Sequence, residues 1–461
     1  MIMPKDKEAF LKMFNLIGKY NFFWKVSFKN LKMKRIYIYI LLFFLSENCL
    51  AENITIKGQV LNDSLNTPVV YANIAIKGYP VGISTNEKGE FSFHIPTIHK
   101  NDTLIVSAIG YQSYECVVNK ILLSDTLVIS LKEQVYKLND VTIIPDNELS
   151  RIIKNVTKRL RKNYPRRKYM LNGFYRELVL KDDRYTRLIE AAIDIHKSGF
   201  NSGVVEKVRV NELRKSNSNV EYDWKSKLFT MINGETNYLY TIFKSDVIQY
   251  HDKSFITKNI LTHKFLDSYD FILEDISIID SVRIFKIKFF DKKYYDEYEG
   301  NFSAIENHWM YIREDNYAII KYEQKHQIVK NKEKYKTLNF EDDCMFSTTV
   351  YYKEYKNKYY PYLYERMRFI VAKYADETTG EGKQYIKSIL LINNIITKRR
   401  DYERIKFSSP KDIDLYKQKY KYNPAFWANY NILQINPLYI QAKNDLEDGQ
   451  SLEEQFIKNG K

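Results

Sequence analysis

Cysteine is nearly absent from this chain: three in 461 residues, at Cys49, Cys116 and Cys344. That excludes a disulfide-dense scaffold and leaves room for one bridge between Cys116 and Cys344 or for two free thiols. Glycine (15) and proline (10) are too few for a collagenous or low-complexity chain. Histidine is scarce too. None of His94, His99, His196, His251, His263, His308 and His326 has glutamate three residues on, and none opens His-Glu-x-x-His. A zinc peptidase needs such ligand spacing plus an open water position, so the sequence gives no metal site and calls for no cofactor. Gly380-Glu381-Gly382-Lys383 lacks the frame and the hydroxyl of a phosphate loop.

Long apolar runs are missing as well. The strongest, the ten residues Ile36–Leu45, would rise about 15 Å as a helix, against a hydrocarbon core roughly 30 Å thick. Lys34 and Arg35 precede it and Cys49-x-Ala51 follows, the order of a secretory signal peptide with cleavage after Ala51. A lipidated Cys49 or an uncleaved anchor are the other readings. Met33 makes a conventional start, so residues 1–32 read as a start-site artefact or a leader, and 33–51 as the signal. The chain is expected to be exported, to the periplasm or in peripheral association with an outer membrane. The formal charge of +15 falls to +9 once the first 51 residues are removed. Its lysines are scattered among Tyr, Asn and Ile rather than set in a stripe, so no nucleic-acid partner is expected.

Residues 52–133 read as a β-sandwich. Short runs at Ile54–Val60, Ala72–Ile76, Gly82–Ser84, Glu90–Ile95, Thr103–Ala108, Tyr114–Val118 and Thr126–Leu131 predict seven strands separated by turn signals such as Asn86-Glu87-Lys88-Gly89. Ile56-Lys57-Gly58-Gln59-Val60, Pro68, Ala72-Asn73-Ile74, Gly78, Gly82-Ile83-Ser84-Thr85-Asn86, Gly89-Glu90-Phe91, Ile95-Pro96 and Leu104-x-Val106-Ser107-x-x-Gly110-Tyr111 follow in order. This succession resembles the carboxypeptidase regulatory-like domain, a transthyretin-like module of Bacteroidetes-type cell-envelope proteins. The resemblance implies a non-catalytic sandwich, and the histidine spacing lends no support to a carboxypeptidase function.

Residues 134–147 read as a linker or edge strand. A helix then runs from Asn147 to about Asn163, with Leu149, Ile152, Ile153, Val156 and Leu160 on one stripe and basic residues over much of the rest. Residues 148–408 are otherwise strand-like: Leu171–Leu180, Leu188–His196, Phe271–Ile279, Ser281–Phe290, Trp309–Glu314, Ala318–Gln324, Thr348–Tyr352, Leu363–Ala372 and Tyr385–Asn393. Helices are expected at Ser226–Met231, Lys244–Lys253 and Lys258–Leu266. In the tail, 409–461, they are expected at Pro410–Tyr420 and Leu446–Phe456, with Phe426 and Trp427 anchoring the tail to the core. The fold class is mainly β: a small N-terminal sandwich, transthyretin- or immunoglobulin-like, followed by a larger α+β domain with a curved antiparallel sheet. Strands and turns of this kind resemble the half-open sheet of periplasmic lipoprotein carriers. Phe174-Tyr175-Arg176-Glu177, Glu190-Ala191, Trp309-x-Tyr311-Ile312, Phe426-Trp427-x-x-Tyr430-Asn431 and Leu452-Glu453-Glu454-Gln455-Phe456 resemble the uncharacterised region that follows the module in Bacteroidetes envelope proteins.

Glu190 and Asp194, four apart on one strand, share a face and are the weak catalytic candidates, an acid/base pair lining a cleft. The competing reading makes Glu190 the buried partner of Arg176. Tyr175, Arg176, Glu177, Trp309, Tyr311, Phe426 and Trp427 are structural or binding candidates. With 39 Tyr and 26 Phe, dense groups such as Tyr294–Tyr298, Tyr351–Tyr355 and Tyr359–Tyr362 suit either glycan and protein contact or packing across strands. The expectation is a non-enzymatic envelope protein binding a protein, glycan or lipid. The alternatives are a hydrolase of envelope polymers using the paired carboxylates, and a lipid or lipoprotein carrier.

Overall fold

The seven sandwich strands form where the period-2 runs predict them: β1 (Asn53–Asn62), β2 (Asn73–Ile76), β3 (Gly82–Ser84), β4 (Glu90–Pro96), β5 (Thr103–Ser107), β6 (Tyr114–Val117) and β7 (Leu127–Leu131). They make two sheets, β4-β1-β7 and β3-β2-β5-β6, in which β1 runs parallel to β7 and every other pair is antiparallel. A one-turn helix α1 (Val118–Ile121) links β6 to β7. Gly58 is demanded by packing: a Cβ there would lie 2.4 Å from the Leu127 carbonyl oxygen across the β1–β7 pair.

The computed structural model describes residues 53–122, 126–134, 146–199, 206–218, 238–248, 269–291, 304–328, 344–373, 381–434 and 437–461. The leader and signal, most of the linker, the helices expected at Ser226–Met231 and Lys258–Leu266, and the Tyr294–Tyr298 group lie outside these residues.

Ten strands build the second body: β8 (Tyr169–Lys181), β9 (Arg184–Lys197), β10 (Lys207–Lys215), β11 (Tyr269–Ile279), β12 (Val282–Asp291), β13 (Ala304–Arg313), β14 (Ile319–Ile328), β15 (Cys344–Tyr355), β16 (Lys358–Lys373) and β17 (Glu381–Ile396). They form one curved antiparallel sheet in the order β10-β9-β8-β17-β16-β15-β14-β13-β12-β11. Both central residues are left-handed in the hairpin turns Asp182-Asp183, Asp280-Ser281 and Lys356-Asn357. That handedness suits the twist of two-residue hairpins. β10 is a strand the sequence reading does not anticipate. Five of its nine residues are charged, and a bulge between Val210 and Glu212 breaks its alternation.

One face of this sheet carries α2 (Asp146–Asn163) and α3 (Tyr238–Phe243). The stripe Leu149, Ile152, Ile153, Val156 and Leu160 is buried on it, each side chain contributing about 1.5–3 kcal/mol. Asn163-Tyr164-Pro165 ends α2, because the residue before a proline is steered out of helix. The Tyr164 hydroxyl then bridges the main chain, donating to the Ile319 carbonyl and accepting from the Ile319 N–H, both at 2.8 Å. Of the helix expected at Lys244–Lys253, residues 244–248 are not helical, α3 having ended at Phe243, and the rest lies outside the described residues.

The sandwich and the tail cover the opposite face. Ile74, Phe93 and Leu104 of the sandwich share a core with Phe174, Ala192, Leu363, Ile389 and Leu391 of the sheet and Trp427 and Leu433 of the tail. Asn53–Lys461 is accordingly one compact unit. The tail corrects two expectations. Pro410–Tyr420 forms no helix beyond a 3-10 turn, Pro410–Asp412: Ile413 is extended, and a second turn follows in which the Asp414 carbonyl accepts from the Lys417 and Gln418 N–H groups, with Ile413 and Leu415 buried. The Lys215 ammonium also holds the Tyr416 and Gln418 carbonyls away from helical use. The last segment is three helices, α4 (Pro424–Asn429), α5 (Pro437–Leu446) and α6 (Leu452–Asn459); α6 begins at Leu452, not Leu446. Among the described residues no helix is long and apolar enough to cross a membrane.

Candidate functional site

Adjacent residues of β8 point to opposite faces, which divides the predicted site residues into separate groups. Tyr175 and Glu177 face the helix side, where the Tyr175 hydroxyl donates to Glu177 Oε2 at 2.9 Å and Arg187 donates to Glu177 Oε1 at 2.5 Å. Burial and the Glu177 carboxylate push the Tyr175 hydroxyl well above its ordinary range. Arg176 faces the sandwich and tail. Its Nε donates to Glu190 Oε1 at 2.6 Å and its Nη2 to the Leu433 carbonyl at 3.0 Å.

Glu190 is fully buried on β9 and receives a second guanidinium, Arg214 Nε of β10, on Oε2 at 2.6 Å. Burial alone would raise its pKa, but Arg214 and Arg176 outweigh it and hold the carboxyl below its usual range. Such a group carries no proton to donate near neutral pH. Asp194 is engaged by Arg209 Nη2 at 2.5 Å and by Asn172 Nδ2 at 2.9 Å. Of the two readings offered for Glu190, the structure therefore displays the Arg176 partnership.

Trp427 and Phe426 join this group from α4. Arg214 lies over the Trp427 ring at 4.4 Å, Trp427 meets Phe174 edge-on, and Phe426 stacks on Tyr430 at 4.8 Å between centroids. Trp309 and Tyr311 stand apart on β13. Five strand steps separate β13 from β8, about 24 Å at the spacing of paired strands. Trp309 Nε1 donates to Glu274 and the Tyr311 hydroxyl to Glu323. Lys288 and Lys321 lie over the respective rings. The dense tyrosine groups contribute heavily to the core: Tyr352, Tyr359, Tyr360 and Tyr362 are all buried.

Two clusters escape the sequence reading. On the helix side, buried Lys197 donates to Glu206 at 2.9 Å and to Asp246 at 3.1 Å, while Asp246 accepts from the Tyr352 and Tyr364 hydroxyls. These groups come from three well-separated stretches of chain, around 197–206, 246 and 352–364, so no local spacing announces them. The second cluster lies at the seam between the sandwich and the sheet. Lys387 Nζ sits 2.8 Å from Glu87 and 3.0 Å from Glu365, and the Tyr71 hydroxyl donates to Glu365 at 2.8 Å. Ser113 donates its N–H and hydroxyl to Asp280 on the β11–β12 turn.

Between these fastenings the seam opens into a cleft of about 640 Å³. Ile76, Ile105, Ile109, Ile279, Ile320 and Tyr351 contribute apolar wall. Lys353 of β15 lines it and reaches across to the sandwich, where a Cβ built on Gly82 would lie 2.8 Å from its Nζ. The side chain keeps part of its surface open, yet desolvation by surrounding protein pushes its pKa down to about 8. A lone lysine inside Tyr351-Tyr352-Lys353-Glu354-Tyr355 was the available signal, since alternation puts it on the face opposite Tyr352. Cys116, on β6, is a free thiol among the described residues, and the Cys344 side chain lies outside them. Among the described residues no three His, Cys, Asp or Glu side chains are grouped to hold a metal ion.

Fold and seam together define a small β-sandwich module docked on a curved ten-stranded antiparallel sheet. A family model described as the CarboxypepD_reg-like domain matches residues 56–143, which bears out the resemblance read between Ile56 and Tyr111. A 90-residue stretch is 37% identical to part of the TonB-dependent receptor SusC of Bacteroides thetaiotaomicron, covering 19% of this chain and 9% of that receptor's length. Three solved structures overlap weakly. A DUF1329 family protein from Desulfovibrio piger is 11% identical at a TM-score of 0.25, covering 55% of this chain and 97% of its own. A putative outer membrane lipoprotein-sorting protein domain from Vibrio parahaemolyticus is 9% identical at 0.24, covering 55% and 96%. A LolA superfamily protein from Nitrosomonas europaea is 7% identical at 0.23, covering 54% and 93%.

Proposed function

We propose that this protein is a non-catalytic component of a bacterial cell envelope, in which the sandwich and the sheet together present a ligand site at their seam. The observation that carries the reading is the cleft. Its volume falls within the range of small-molecule sites, and the Lys387 and Asp280 contacts fix the two bodies that form it. The likeness of the N-terminal module to part of a TonB-dependent receptor supports an envelope location. The hydrolase reading is disfavoured by Glu190, which is ionised and shut between two guanidinium groups where an acid would have to release a proton.

Purified residues 53–461, with and without chelator, are expected to show no turnover on peptide and glycoside panels. Glu190→Gln and Asp194→Asn should change stability alone. Turnover abolished by either substitution with the fold intact would overturn the reading. Cell fractionation should recover the protein with the envelope, and an intact cytosolic chain would overturn the location.

A further inference from the structure

Lys353 poses a question that the fold leaves open. An ammonium drawn out of bulk water is costly unless a counter-charge accompanies it. The buried lysine on the other face of the sheet has two carboxylates, Glu206 and Asp246. Lys353 has no ion-pair or hydrogen-bond partner among the described residues, and desolvation alone accounts for its depressed pKa. The other charged groups facing the cleft are already engaged. Lys77 pairs with Glu115, Arg313 with Asp315, Asp280 accepts from Ser113, Glu354 accepts from Tyr359, and Lys356 lies over the Tyr355 ring. One unmatched cation thus stands in a concave space walled by isoleucine side chains and tyrosine rings.

We infer that this cleft binds an organic anion with an apolar body, of the long-chain carboxylate class, and that Lys353 receives its charged end. The anion supplies the counter-charge that Lys353 lacks among the described residues, and the isoleucine walls take the apolar part out of water. This deepens the binding reading given above and rests on it. Because Lys353 lies near its titration point, the same geometry makes binding depend on pH. The ammonium form binds, so affinity is full below about 8, falls as pH rises above that value, and is lost by the higher pKa that the bound anion sets. Burial keeps the Tyr351 and Tyr362 hydroxyls beside it on the same sheet face protonated through that window.

The test is calorimetric titration of residues 53–461 with dodecanoate and with the neutral dodecanol, both below their aggregation concentrations, at pH 7 and pH 9.5. Saturable dodecanoate binding at least tenfold tighter than dodecanol at pH 7, with the preference shrinking at pH 9.5, is expected. Lys353→Met should abolish the preference and Lys353→Arg should retain it, with circular dichroism confirming the fold of both. Equal binding of the two compounds, no binding of dodecanoate, or a preference that survives Lys353→Met would each overturn the inference. Any of those results would leave the non-catalytic reading standing, since that depends on turnover measurements.

Discussion

A carboxylate held between two guanidinium groups exchanges reactivity for structure, and Glu190 makes the exchange concrete. Removing its charge strands Arg176 and Arg214 together with no anion between them, and losing one partner of a buried pair costs about 3–5 kcal/mol. Urea unfolding of Glu190→Gln at pH 7 should register a loss of that order. The sign of the pH effect follows from the direction of the shift: the folded pKa lies below the unfolded one. The contribution is therefore fully present above the ordinary carboxylate range and lost as pH falls through the folded value. Wild type and Glu190→Gln should converge in stability as pH falls below the ordinary carboxylate range. Lys353 is the opposite case. Its folded pKa lies below the unfolded value, so its charge opposes folding at neutral pH, and Lys353→Met should gain about 2–3 kcal/mol at pH 7, less at pH 10. A loss of stability in that variant would mean the side chain has a partner. The Arg176–Glu190 pair was readable because both residues sit in largely buried strand runs where a charge must find an opposite. The two-arginine arrangement was not, because Arg214 belongs to a strand whose charges conceal it.

At the scale of elements, what was legible follows how strongly a segment's periodicity is enforced by burial. The α2 stripe and the sandwich strands each have one dry face, and their residues say so. Pro410–Tyr420 misleads because its start and its composition suit a helix, while Ile413 and Leu415 are buried two apart, the period of extended chain. The end of the chain is better determined than its composition suggests. Ser451 and Glu454 form a reciprocal cap at the start of α6, which packs Leu452 and Phe456 against Leu178, Tyr185 and Leu188. Ser451→Ala should cost about 1 kcal/mol, read as a shifted denaturant midpoint. Hydrogen exchange should then rise in α6 and at the Leu178–Leu188 end of the β8–β9 hairpin, leaving the sandwich unaffected. Faster exchange throughout the sandwich would contradict this packing.

For the whole molecule, the sandwich and the sheet should melt together. They share an apolar core and the Lys387 clamp. The Glu365 and Glu87 carboxylates hold the Lys387 pKa above its ordinary value against the pull of burial. The clamp's contribution is accordingly complete below about pH 10 and fades at higher pH. Calorimetry should give one transition for wild type and a separated or broadened one for Lys387→Met, and two well-resolved wild-type transitions would refute the coupling. No linear reading could reveal the strand order, because it joins β8 to β17 across some two hundred residues of intervening chain. That junction also governs how the protein is made. Tyr169–Lys181 emerges from the ribosome early, yet one of its flanks has no neighbour until Glu381–Ile396 has been synthesised. Half-made chains therefore expose an unsatisfied, apolar ribbon for most of translation, the condition in which nascent polypeptides depend on holding factors. A transcript truncated before codon 381 should yield a product that proteases digest throughout the β8–β10 region, while one extended past codon 396 should not.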